Sequence, residues 1–297
     1  MIYRSRFPNF ITRTEIKLRL KPSEAEALRE EVERHLPPYC YVPDRPVTFV
    51  SSVYFDTDDL HFYRRAKRFP HDNLKVRLKE YYYRVDGTNE VSEYCWIELK
   101  RRLAEATSKL RFQTPKQLVS RLFEGEDLFD VIRACNRDLT ESDLSKIYED
   151  FLDIVRRFRL RPQSVTNYRR RTYQQREDES IRITFDDMIA YFRPPPFLFN
   201  GTRALVREVL GEPAGRQYHT VVEIKMARRT PQWLRELLAR YPQSNFSKFL
   251  TSTQTVLPLL GRRERVEEDR LGNRVPEEPP FVQDPRDPDG EGAHAAS

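Results

Sequence analysis

A chain of 297 residues is long enough for one large domain with a sizeable core, and 33% charged beside 38% hydrophobic residues suits a fold with a polar concavity. The net charge of +6 is uneven: residues 262–297 hold six Lys or Arg against ten Asp or Glu, so the cationic excess sits in the first 261 residues and favours anionic ligands. No apolar run reaches the length of a membrane span and the N-terminus lacks a signal-peptide core. With three unpatterned cysteines (Cys40, Cys95, Cys135) and five scattered histidines, this predicts a cytoplasmic protein without a zinc site.

In chain order, residues 11–20 are predicted as a strand. A helix follows, with Ser23 as N-cap and Glu26 completing a capping box, and it stops at Pro37-Pro38. Strands are expected near 47–56, 73–83 and 93–101, with Asp86-Gly87 turning between the last two, and a short one at 108–113. A helical block spans 115–159, where Leu144, Ile147, Tyr148, Phe151, Ile154, Val155 and Phe158 recur at helical spacing and read as core. Strands return near 164–175, 180–192 and 219–227, with a short helix at 202–210 and two final helices near 231–240 and 246–260. From Arg262 the composition predicts a disordered Pro- and charge-rich tail, leaving 1–261 as the folded domain. Strands grouped on either side of a helical block indicate an α+β fold.

Five of these strands alternate ions with apolar residues: Arg13-x-Glu15-x-Lys17, Lys75-x-Arg77-x-Lys79, Glu98-x-Lys100, Arg182-x-Thr184-x-Asp186 and Glu223-x-Lys225. Residues two apart share a strand face, so each strand has one ionic and one greasy side. One such strand alone reads as a solvated outer face. Five together favour a closed antiparallel barrel whose apolar exterior lies under helices and whose ions line a lumen. Cations with single carboxylates among them fit a polyanion accompanied by a metal ion. The nine glycines form neither a P-loop nor a Gly-x-Gly-x-x-Gly pattern, so side chains rather than backbone N–H groups must hold phosphates. Tyr54 and Asp56 read as structural, Cys95 as a packed thiol, and Asp186 equally as a site residue or as an ion-pair partner of Arg182.

Taken in order, Arg13-Thr-Glu15-Ile-Lys17, Ser52-Val-Tyr54-Phe-Asp56-Thr57, Lys75-Val-Arg77-Leu-Lys79, Trp96-Ile-Glu98-Leu-Lys100-Arg101, Tyr168-Arg-Arg170, Arg182-Ile-Thr-Phe-Asp186, Val222-Glu223-Ile-Lys225 and Asn245-Phe-Ser247-Lys248-Phe249 resemble the catalytic domain of the vacuolar transporter chaperone (VTC) polyphosphate polymerases, within the triphosphate tunnel metalloenzyme superfamily. The resemblance implies a barrel of about eight strands forming a charged tunnel, with helices packed around it. It implies Arg77, Lys79, Arg170, Arg182 and Lys248 acting on the transferring phosphate, and Lys17, Lys100, Lys109, Tyr168 and Ser247 as further phosphate ligands. The alternating stretches add Arg13, Lys75 and Lys225 to that set. Glu223 matches the metal carboxylate, with Glu15 and Glu98 as weaker candidates, and the ion is Mn²⁺ or Mg²⁺.

The implied substrates are ATP and polyphosphate, and a membrane-protein partner for product export goes with them; no specific nucleic-acid signature is visible. Lys79 stands where family members often carry Arg, which removes bidentate geometry at one contact. Hydrolase branches open with Glu-x-Glu-x-Lys, whereas this chain has Arg13 first, which trades metal affinity for phosphate affinity and favours polymerase over hydrolase. Hydrolysis of tripolyphosphate or nucleoside triphosphates, and polyanion binding without catalysis, remain the alternatives.

Overall fold

The computed structural model describes residues 14–104, 106–175, 180–196, 198, 204–226 and 230–260. Arg13 and the tail from 262 lie outside the described residues. The elements run β1 (Thr14–Leu20), α1 (Pro22–Glu33), β2 (Val47–Asp56), α2 (His61–Arg68), β3 (Asp72–Val85), β4 (Thr88–Val91), β5 (Tyr94–Leu103), β6 (Ala106–Pro115), α3 (Val119–Phe123), α4 (Phe129–Cys135) and α5 (Glu141–Phe158). They continue with β7 (Arg161–Tyr173), β8 (Ile181–Phe192), α6 (Arg207–Leu210), β9 (Gly215–Arg216), β10 (Thr220–Met226), α7 (Gln232–Leu238) and α8 (Lys248–Val256). No described helix is long and apolar enough to cross a membrane.

Eight strands form one antiparallel sheet in the order β1-β10-β8-β7-β2-β3-β5-β6, with β4 paired to β3 and β9 to β8. The expected closed barrel is not formed: no ladder joins β1 to β6, and the sheet is an open, curled half-barrel. Lys100 on β5, one strand from the β6 edge, still reaches Glu15 on the β1 edge at 3.6 Å, so the curl meets through side chains rather than backbone. Drawing the edges to ladder spacing would oppose the lysines of β5 and β6 to Lys17 and Lys225, and like charges facing one another destabilise a sheet.

The apolar side of each strand is packed as the alternation requires. Leu18, Leu20, Ile183, Phe185, Val222, Ile224 and Met226 form one buried cluster with Ala25, Leu28 and Val32 of α1 and Leu234 and Leu237 of α7. Over the other half of the sheet, Phe112 of β6 meets Tyr148 and Phe151 of α5 edge-on, and Phe55 of β2 stacks on Phe123 of α3 at 3.8 Å. Each such side chain contributes about 1.5–3 kcal/mol on burial, which pins the register that turns the ions to the other face.

Helix starts follow local chemistry. The cap of α1 is Lys21 rather than Ser23, because Pro22 fits the first helical turn, where its missing N–H is no loss, and Glu24 accepts from the Lys21 N–H at 2.8 Å. The Thr140 hydroxyl caps α5 by accepting from the Asp143 N–H at 3.1 Å. Helix α2 was not expected; buried Asp56 accepts from the N–H groups of Thr57, Phe62 and Tyr63 at 2.8–2.9 Å and so fixes its start. Asp86-Gly87 does turn the chain, with φ of 47° and 78°, but into the short β4 rather than directly into β5.

Candidate functional site

Register partners in an antiparallel pair share a face, so the pairings place the ions together. Lys75, Lys100 and Lys109 stand in one row across β3, β5 and β6; Arg77, Glu98 and Arg111 stand in the next. On the other side of the sheet Glu15, Lys225 and Arg182 form a row across β1, β10 and β8, followed by Lys17, Glu223 and Thr184. Arg170 of β7 faces Asp186 of β8. The curl turns these rows toward one another.

Three buried or half-buried carboxylate centres organise the cations. Glu98 is fully buried, receives Arg77 at 2.6 Å and Lys109 at 2.8 Å, and has Lys79 at 3.8 Å. Burial alone would raise its pKa; Lys79, Arg77 and Lys109 outweigh that and hold it far below the usual range. The second centre is Asp186, also fully buried, held bidentately by Arg170 at 2.6 and 2.7 Å and by Lys248 of α8 at 2.6 Å. The same ammonium reaches Glu223 at 3.4 Å and lies 4.9 Å over the Tyr168 ring, and Arg170 lies 5.3 Å over that ring. Burial pushes Lys248 down, but Asp186 and Glu223 win and raise it. Glu15 is the third centre, with Lys17 at 3.4 Å, Lys100 at 3.6 Å and Lys225 at 3.9 Å.

Helix α8 lies across the concave side because its underside matches. Ser252 meets Ser164 of β7 at 2.8 Å, and Phe249 packs near Tyr54 of β2. That seat delivers Lys248, while Ser247 caps the helix by accepting from the Leu250 N–H at 3.4 Å and keeps its own hydroxyl proton to give.

The cations exceed what the four carboxylates of this face (Glu15, Glu98, Asp186, Glu223) neutralise. Arg182 has its Nε buried with no acceptor among the described residues. Lys75 has no carboxylate within 4 Å among them and lies 5.9 Å over the Phe249 ring; burial, then Lys100, Lys17 and Arg77, push its pKa down to about 7. Burial and then Arg77 also lower Lys79 far below the ordinary lysine value. Such a face is short of anionic charge and suits an anionic ligand.

For a divalent ion the fit is narrower. No group of three or more His, Cys, Asp or Glu able to hold a metal occurs among the described residues. Mg²⁺ and Mn²⁺ bind readily through one or two carboxylates plus substrate phosphates and water, and Glu223, 18% exposed and contacted by one ammonium within 4 Å, suits that role best. Glu15 is 26% exposed but has three ammoniums within 4 Å, and Glu98 is fully buried among three cations, so both fit less well.

Of the residues marked in the sequence, Lys17, Lys75, Arg77, Lys79, Glu98, Lys100, Lys109, Tyr168, Arg170, Arg182, Glu223, Lys225, Lys248 and Glu15 share this face, and Ser247 adjoins it. Asp186 pairs with Arg170 and Lys248 rather than with Arg182, which makes it a centre of the site. Arg111 was missed; it lies 4.4 Å over the Trp96 ring, and the alternation Lys109-x-Arg111 was its signal.

The fold is thus a curled antiparallel sheet with a cation-rich concave face. Residues 12–257 match the VTC domain, and the chain belongs to that family. It is 23% identical over 280 residues to the vacuolar transporter chaperone complex subunit 4 of Schizosaccharomyces pombe, covering 84% of this chain and 38% of that protein, so it spans well under half of the relative's length. Among solved structures it is similar to the PH1819 protein of Pyrococcus horikoshii OT3 (9% identity, TM-score 0.38, covering 81% of this chain and 99% of that one). It is also similar to the putative adenylyl cyclase HpAC1 of Hippeastrum, described as having a dominant triphosphatase activity (15% identity, TM-score 0.40, covering 85% and 98%).

Proposed function

We propose that the concave face binds a linear polyphosphate and transfers the γ-phosphate of ATP onto its end. The observation that carries this reading is the uncompensated cationic charge, above all the Arg182 Nε without an acceptor and Lys75 without a carboxylate among the described residues, on one face with Arg77, whose Nε and one terminal nitrogen meet a single Glu98 oxygen, and the bidentate fork of Arg170. Membership of the VTC family and the subunit 4 relative support the substrate class.

Phosphoryl transfer through a loose transition state requires in-line placement and neutralisation of the equatorial oxygens, with little covalent work for the protein. Arg77, Lys79 and Lys109 from one side, and Arg170 and Lys248 from the other, exchange their carboxylate partners for those oxygens, and Arg182 adds its guanidinium to them. Tyr168 and Ser247 donate neutral hydrogen bonds. Lys17, Lys75, Lys100 and Lys225 hold the remainder of the chain, joined by Arg13, which precedes Lys17 in sequence. Glu223, with Glu15 as the second candidate, would hold Mn²⁺ or Mg²⁺, which when bound would neutralise phosphate charge. Glu98 acts as the internal counter-ion.

The electrostatics favour a phosphate acceptor over water. A water nucleophile needs a general base, and burial is outweighed by neighbouring cations at Glu98, Asp186 and Glu223, so these carboxylates are held as weak bases. A terminal phosphate oxygen is already ionised and needs none. Incubation with ATP and Mn²⁺ tests this directly: ADP with a growing phosphate polymer is expected, and free phosphate in place of polymer would establish hydrolysis instead.

A further inference from the structure

We propose that the surface formed by the α2–β3 turn and the adjoining ends of β5 and β6 is an outer binding site for the part of a long polyphosphate that overhangs the concave face. It rests on the function proposed above and extends it to a surface outside the named site.

The row Lys75–Lys100–Lys109 ends the cationic face on this side, and its last member is 41% exposed. Two residues further along the strands, about 7 Å away, the next row on the same face is Asn73–Arg102–Thr107. The Arg102 Nε donates to the Ala104 carbonyl at 3.3 Å, and no carboxylate pairs with this guanidinium among the described residues. The end of β5 and the end of α2 are tied into one surface. Ala104 N–H donates to the His71 carbonyl at 2.7 Å, Asp72 N–H to Phe69 at 3.0 Å, and the Asn73 side-chain amide to Pro70 at 2.9 Å.

On that surface Arg68 is exposed, without a carboxylate partner among the described residues, and lies 5.3 Å over the ring of Phe69, itself 40% exposed. The helix behind it reaches inward through two rings: Tyr63 meets Phe249 edge-on at 6.3 Å, and Phe249 carries Lys75. Arg102 thus prolongs the cationic rows by one step, and Arg68 stands exposed on the adjoining turn. A bare phosphate chain fits this better than a single-stranded nucleic acid, which draws affinity from successive stacking rings. Here the turn exposes the Phe69 ring, already flanked by Arg65 and Arg68, and the His71 imidazole, short of a run of stacking rings. Cations in the last turn of α2 also complement the helix dipole, so stability must be measured alongside binding.

The test is calorimetric titration of the full chain and of its Arg68→Gln/Arg102→Gln double variant with tripolyphosphate and with long-chain polyphosphate. Tripolyphosphate affinity and the melting temperature are expected to be unchanged, and long-chain affinity to fall at low salt. With two phosphate contacts removed, the gap between the proteins should narrow about sevenfold from 50 to 200 mM salt. Equal loss for both ligands, or no loss for either, would overturn it, as would a lowered melting temperature with long-chain binding intact. Parallel loss of a single-stranded oligonucleotide that binds as tightly would assign the surface to nucleic acid instead. If the unaltered chain binds neither phosphate, the function proposed for the concave face fails, and this inference with it.

Discussion

Substituting Glu98 by Gln probes how the cationic face is held together without ligand. Glu98 is fully buried, and its loss leaves Arg77 (17% exposed) and Lys79 (6% exposed) without their counter-charge. Removing one partner of a buried ion pair typically destabilises by about 3–5 kcal/mol. For a domain of this size each kcal/mol lowers the melting temperature by about 2–4 °C, so a fall of roughly 6–20 °C is expected. A bound phosphate chain restores the missing negative charge, so tripolyphosphate should raise the melting temperature of the variant by more than that of the unaltered protein. Differential scanning fluorimetry with and without tripolyphosphate reads both quantities. A variant that melts within about 2 °C of the parent, less than 1 kcal/mol, or that gains no more from ligand, would refute the assignment of Glu98 as internal counter-ion.

Replacing Arg170 by Lys keeps the charge but breaks the bidentate hold on Asp186, and turnover should fall at least tenfold with a smaller change in tripolyphosphate affinity, read from steady-state kinetics and calorimetry. The Glu223→Gln variant should need a higher Mn²⁺ concentration for half-maximal activity, while tripolyphosphate binding without metal is unchanged or tighter because Lys248 keeps only its Asp186 counter-charge. Lys75 gives a pH signature. Its folded pKa is about 7 against an ordinary 10.5, so between those values the unfolded chain binds the extra proton and stability rises with pH. Thermal melts across that window should show the rise in the parent and a flatter curve in Lys75→Met. Thr140→Ala should cost about 1 kcal/mol of stability through loss of the α5 cap and leave tripolyphosphate affinity untouched.

Much of the site was legible because a strand imposes a strict period. Lys75, Arg77 and Lys79 had to share one side once Leu74, Val76 and Leu78 were committed to the core, and the same holds for Glu223 and Lys225 beside Val222 and Ile224. What the period does not encode is the partner across the sheet. The Asp186–Arg170 fork joins residues on different strands, and its Lys248 arm comes from a helix 62 residues further along, so Asp186 looked no more important than a local ion-pair partner of Arg182. Closure was misjudged for a related reason: alternation fixes which way side chains point but not whether the first and last strands meet. Here the lysine rows near one edge face Lys17 and Lys225 at the other, and Glu15 spans the gap instead. Helix α2 escaped notice because it has only eight residues, and its starting signal is the Asp56 carboxylate at the end of the preceding strand.

The most direct measurement is a crystal structure of the protein soaked with tripolyphosphate and Mn²⁺. One linear ligand is expected between Arg77 and Lys79 on one side and Arg170, Arg182 and Lys248 on the other, with the metal on Glu223. A ligand found elsewhere, or a concave face whose ion pairs persist unchanged in saturating tripolyphosphate, would contradict the assignment of this face as the polyphosphate site.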